Sequence, residues 1–221
     1  MEQLEIIHSK LNFTGNLKIE IPEQIMTLKH ILPDDCVLEL GGSIGRNSCV
    51  INSILTDKTK HVVVEPSKTE LNILIKNRDS NKLGFQVENS AISNKQLYSK
   101  HWNTFEIPVE GSVPVNCLTY NDFKQKYNLP FNVLVIDNEG NFVKMMKDSI
   151  DILDNIRMII IEHDFNTEDD YEYFKNILKN KGFECKDVYS KIEKYGPGMK
   201  WSDGLQSDPI FVSVWKSTQF I

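Results

Sequence analysis

Short apolar runs ending in an acid alternate along this chain with longer segments whose apolar residues recur at helical spacing. Residues 36–40 predict a first buried strand, and Ile44, Val50, Ile51, Ile54 and Leu55 continue from it as a helical stripe. His61-Val62-Val63-Val64 predicts a second strand, closed by Glu65 and by Pro66, which cannot extend a ladder. Ser67 and Glu70 then have capping-box spacing for a helix whose inner face is Leu71, Leu74 and Ile75. Residues 84–92 predict a third strand, 105–109 a weaker one, and 119–127 a short helix. The runs 133–136 before Asp137 and 158–161 before Glu162 repeat the first strand's design, with helical stripes following each. Residues 183–189 and 210–215 are the last two strands, joined by a polar loop over 192–209. Ahead of all this, residues 17–21 alternate like an edge strand, and Pro22 opens a helix carrying Ile25, Met26, Leu28 and Ile31.

Strands alternating with helices predict an α/β fold with a doubly wound, mostly parallel sheet and an antiparallel C-terminal strand. Residues 1–35 read as a covering segment and 36–221 as one domain. The net charge of −6 gives no domain-wide basic excess, so nucleic acid is not expected as the main partner. No apolar run approaches the ~20 residues needed to span a bilayer, and residues 1–10 lack a signal pattern. Cys36, Cys49, Cys117 and Cys185 are widely spaced, which fits reduced thiols in a cytoplasmic protein.

In such sheets ligands bind beyond the carboxyl ends of the strands. Four predicted strands end there in an acid: Glu39, Glu65, Asp137 and Glu162. Gly41, Gly42, Ser43 and Gly45 form a turn with no GxxxxGK[S/T] and no GxGxxG, so neither a polyphosphate nor a dinucleotide loop is built. The remaining pattern suits a ligand with a ribose and an amino-acid tail. Glu65 would accept hydrogen bonds from both ribose hydroxyls, and Glu39 with the loop N–H groups would face the tail of S-adenosylmethionine.

The chain resembles the FkbM family of class I S-adenosylmethionine-dependent methyltransferases. The resemblance rests on Val37-Leu38-Glu39-Leu40-Gly41-Gly42-Ser43-Ile44-Gly45, on Val64-Glu65-Pro66, and on Val113-Pro114-Val115-Asn116-Cys117-Leu118. Ile136-Asp137-Asn138-Glu139-Gly140 and Ile161-Glu162-His163 complete it over roughly residues 35–165. Two positions depart from the family pattern: Val135 stands where a lysine is usual, and Asn132 where an aspartate is common.

The resemblance implies a Rossmann-like domain whose cofactor side includes Pro66, Ser90, Ala91 and Asp137, with a small or glycan acceptor methylated on oxygen. Asp137 and His163 are the candidate bases, with Glu139 and Glu162 beside them. The role of Glu139 stays open, since an acid also suits a helix start. A divalent metal such as Mg²⁺ stays open too, with Asp137, Glu162 and His163 as its ligands. The loop from Tyr195 through Gly196, Lys200 and Trp201 to Asp203 suits an acceptor lid or an ordinary surface loop. The alternative to an enzyme is a non-catalytic binding or scaffold protein that keeps the fold, which Val135 favours.

Overall fold

The computed structural model describes residues 1–196, 204–205 and 207–220. Two helices come first, α1 (Glu2–Lys10) and α2 (Ile21–His30). The chain then alternates through β1 (Val37–Leu40), α3 (Arg46–Ile54), β2 (His61–Val64), α4 (Lys68–Ser80) and β3 (Gln86–Glu88). Five short strands follow: β4 (Ala91–Ile92), β5 (Tyr98–Lys100), β6 (Asn103–Phe105), β7 (Val113–Pro114) and β8 (Cys117–Leu118). The alternation resumes with α5 (Tyr120–Tyr127), β9 (Val133–Ile136), α6 (Phe142–Asp148), β10 (Met158–Glu162) and α7 (Glu168–Asn180). It closes with β11 (Phe183–Ser190), α8 (Lys191–Tyr195) and β12 (Ile210–Ser217).

The main sheet has seven strands in the order β11-β12-β10-β9-β1-β2-β3. β12 runs antiparallel to both its neighbours, and the other pairings are parallel, as the strand–helix alternation predicts. Alternate residues of the central strands feed opposite faces. Leu38, Leu134, Ile136 and Ile159 pack with Phe123, Phe142 and Phe174 from α5, α6 and α7. Val37, Val133, Val135 and Ile160 pack on the other face with Met26 and Ile51 from α2 and α3. Strands buried on both sides read as unbroken apolar runs, which is why β1, β2, β9 and β10 were legible.

Phe174 is fully buried and packs edge-on to Trp215 at 5.6 Å between ring centroids. Replacing it with alanine removes that contact and leaves a cavity. The expected loss is about 3–5 kcal/mol, measurable as a lower urea midpoint with an unchanged slope.

Several local expectations change. Residues 17–20 form turns rather than an edge strand, because Pro22 lies in the first turn of α2 and the helix starts beside it. The strand expected over 84–92 splits at Asn89-Ser90. Asn89 Nδ2 donates to the carbonyls of Glu65 and Pro66, and Ala91–Ile92 leaves to pair with Cys117–Leu118. The strand expected at 105–109 lies earlier, as β6 in a three-stranded antiparallel flap with β5 and β7. The expected polar loop begins with α8, held by a complete capping box between Ser190 and Glu193. At Ser67 half of the box forms, with the hydroxyl accepting from the Glu70 N–H.

Asn132 acts in the scaffold. Its Oδ1 accepts the Cys36 N–H at 2.8 Å, and its Nδ2 donates to Asp35, which also pairs with Arg157. The four cysteines are free. Among the described residues no helix is long and apolar enough to cross a membrane.

Candidate functional site

The site begins where β1 and β2 end side by side. The N–H groups of Gly41 and Gly42 both donate to the Val64 carbonyl, at 3.0 and 3.1 Å, which folds the turn back over β2. Gly41 has φ +91°, and a Cβ there would lie 1.6 Å from the Asp137 carbonyl oxygen. Glycine is required at 41 on both grounds. Gly42 and Gly45 leave room for Val63 and Leu74 in the same way. Gly45 then caps α3 with no side-chain bond.

Glu65, at the end of β2, is nearly buried beneath this turn. Its two oxygens accept the Ser43 N–H at 2.8 Å and the Ser67 N–H at 2.7 Å. Burial still pushes its pKa up to about 7, against the lowering effect of those two bonds. Two bonds leave lone pairs for a ligand, since a carboxylate offers about four acceptor sites.

A cavity of about 830 Å³ opens over the carboxyl ends of the strands. Gly41, Ser43, Glu65, Pro66 and Ala91 line one half of it, and Asp137, Glu139, Glu162 and Asp164 the other. Sequence reasoning did not place Glu20 and Glu23 there. They come from the start of α2, and their only signal was two acids three residues apart flanking a helix-initiating proline.

Glu162 stands between two other acids, sharing side-chain hydrogen bonds with Asp137 and with Glu23. Burial first, then the neighbouring carboxylates, pushes Asp137 and Glu162 well above the usual carboxylate range. Glu23 is raised to about 7, chiefly by burial. Asp164 also rises to about 7, despite accepting the N–H groups of Glu139 and Gly140. Those two residues have φ of +55° and +74°, so the loop after β9 is curled onto Asp164.

Three expected site residues, Glu39, Ser90 and His163, lie elsewhere. Glu39 is buried under the turn, where its Oε2 meets His61 Nε2 at 2.9 Å, and it does not line the cavity. Ser90 is buried beside the cavity rather than in its wall. His163, expected as a base or metal ligand, points into the other side of β10. Its ring nitrogens meet Asp208 and Ser213 at 2.6 Å each, and burial lowers its pKa. Side chains alternate along a strand, so Glu162 facing the cavity turns its neighbour away. Val135 is likewise a core position, packed with Val37, Val133 and Ile160. It lies beside Glu39 in register, so the carboxylate that a lysine at 135 would flank is held by His61 instead.

The cavity mouth is bounded by the flap, where His101 and Trp102 turn between β5 and β6 and Asn103 and Thr104 begin β6. Trp102 is 74% exposed there. Of the expected lid, Pro197 to Asp203 lie outside the described residues, and Gly204 lines the cavity against His163's backbone.

A glycine turn between two parallel strands, with a cleft over their carboxyl ends, is the arrangement of a Rossmann-like domain. The family model described as "Methyltransferase FkbM domain" matches residues 39–186, and the chain belongs to that family. No curated protein matches the chain in sequence. Among solved structures it is similar to the O-methyltransferase from Bacillus cereus in complex with SAH. Identity is 14%, TM-score 0.55, and coverage 98% of this chain and 89% of that one. It is also similar to an rRNA methylase from Streptococcus thermophilus, at 9% identity and TM-score 0.52, with 90% and 98% coverage. A protein of the NADB-Rossmann superfamily from Streptococcus agalactiae matches at 12% identity and TM-score 0.55, with 93% and 70% coverage. At these identities the structures share the fold.

Proposed function

We propose that this protein is an S-adenosylmethionine-dependent methyltransferase acting on an oxygen of a sugar or other small hydroxylated acceptor. The observation that carries the donor is Glu65: a nearly buried carboxylate facing the cavity, clamped to Ser43 and Ser67 beside a glycine turn with no room for a Cβ. The SAH complex of the Bacillus cereus protein supports the same choice of ligand. Glu65 would hold the ribose hydroxyls, with Ser43 and Gly41 against the tail and Pro66 and Ala91 beside the base.

Bound S-adenosylmethionine supplies an electrophilic methyl group. The chain's own work is to align the acceptor with it, exclude water and hold the acceptor's proton. Asp137 lines the cavity while His163 faces the other side of the sheet, which supports Asp137 as the proton acceptor. Asn138, Asn141 and Asn166 line the acceptor half, and neutral amides that both donate and accept suit sugar hydroxyls. Trp102 at the mouth offers an exposed ring face for a sugar to stack on.

Calorimetric titration with S-adenosylmethionine should give one site with micromolar affinity, and labelled methyl transfer should follow on a panel of sugars. No heat from a folded sample would remove the donor assignment. Donor binding without transfer to any acceptor would favour the non-catalytic alternative. Val135, the departure that favours that alternative, sits in the core and not in the cavity wall.

A further inference from the structure

Glu23, Asp137 and Glu162 come from three separate elements, α2, the end of β9 and the end of β10. Each offers a carboxylate oxygen, and the three oxygens lie within 4.8 Å of one another. Glu23 is 5% exposed, and its Oε2 is buried with no hydrogen-bond partner. A buried acceptor left without a donor is costly, and three converging carboxylates repel one another unless shared protons or a cation join them. Among the described residues, no lysine or arginine forms an ion pair with any of the three. Arg46, in the cavity wall, is taken by Glu20 and by the Asn16 carbonyl. Lys194, also in the cavity wall, stands over the Phe211 ring, 3.3 Å from its centroid; its charge acts on Glu23 but forms no ion pair with it. Asp164 adds a second orphan, its buried Oδ2, in the wall of the same cavity.

We infer that Glu23, Asp137 and Glu162 form a binding site for one divalent cation of the oxygen-preferring kind, Mg²⁺ or Mn²⁺. The ligand set is carboxylate only, without thiol or imidazole, which selects hard ions over zinc or copper. From the sequence, His163 stood as the candidate third ligand. The fold replaces it with Glu23, and the N-terminal segment thereby becomes part of the reaction centre. Resting on the methyltransferase reading, the ion deepens the choice of acceptor: open coordination positions beside the donor suit a molecule with two adjacent oxygens. Such an ion would lower the pKa of a hydroxyl bound to it, and Asp137 would then serve as its ligand in place of the proton acceptor.

The test uses the full chain, stripped with a chelator, with no donor present. Calorimetry with Mn²⁺ should give one site, and thermal unfolding should move upward on adding Mn²⁺ or Mg²⁺. Glu23→Gln should weaken Mn²⁺ binding about tenfold or more. The same variant should melt at a higher temperature than the parent in chelator, because one of the repelling charges is gone. Glu106→Gln, at the cavity rim, should leave Mn²⁺ affinity unchanged.

No heat and no melting shift at millimolar Mn²⁺ would overturn the site. So would equal Mn²⁺ affinity in Glu23→Gln, which would indicate diffuse attraction to an acidic cleft. Donor titration is run separately: binding of S-adenosylmethionine without Mn²⁺ binding overturns the ion site alone. Mn²⁺ binding without donor binding overturns the donor reading alone.

Discussion

Glu65→Ala is expected to weaken S-adenosylmethionine binding by about tenfold to a hundredfold, the loss of charge-assisted hydrogen bonds to a buried carboxylate. The substitution also frees the Ser43 and Ser67 N–H groups, which Glu65 now holds at 2.8 and 2.7 Å. A calorimetric titration at fixed pH reads the effect, and an unchanged affinity would take Glu65 out of the site.

The same residue predicts a pH dependence. In the ligand-free protein burial raises the Glu65 pKa from 4.5 to about 7. The ionised form is the better acceptor for ribose hydroxyls, so donor affinity should rise with pH through about 7 and then level off. The stability of the ligand-free fold runs the other way. A raised carboxylate pKa means that the native state holds the proton more tightly than the unfolded chain. The contribution is therefore present below about 4.5 and is lost as pH rises towards about 7. Glu65→Gln should flatten this part of both profiles. A donor affinity that stays as pH-dependent in Glu65→Gln as in the parent would assign the titration to another group.

Gly41→Ala should be among the most destabilising single substitutions in the chain. A left-handed backbone costs a non-glycine residue about 1–2 kcal/mol. Here the new Cβ would also lie 1.6 Å from the Asp137 carbonyl oxygen, so the turn after β1 and the loop after β9 must separate. The summed loss is expected at about 4 kcal/mol or more, read from chemical unfolding. Gly196→Ala is the control. Gly196 has φ +88° with nothing among the described residues within 4 Å of its Cβ position, so it reports the backbone cost. Equal losses at the two positions would mean that the Gly41–Asp137 approach is not closely packed.

The elements buried on both faces were readable because their residues need no tertiary context to declare themselves. β1, β2, β9 and β10 are apolar runs stopped by an acid or a proline, and their strand-end acids mark the ligand edge. The flap between β4 and β8 was not readable. Its strands are two or three residues long and half exposed, so no period emerges over them. α1 was missed for a related reason, since Leu4 is its only buried residue.

The site divides along the same line. Sequence by itself determined the glycine turn, Glu65, Asp137 and Glu162, because each is tied to the end of a strand whose direction and burial the local pattern sets. Which way a residue faces, and what crosses over it, only the tertiary structure decided. Adjacent strand residues point to opposite faces, so Glu162 enters the cavity while His163 is sealed between Asp208 and Ser213. Glu39 ends the first strand as expected, yet the parallel pairing of β1 with β2 delivers His61 to it and keeps it from the cavity. Glu23 lies more than a hundred positions from Asp137 in the chain, and only the packing of α2 against the sheet brings their carboxylates together.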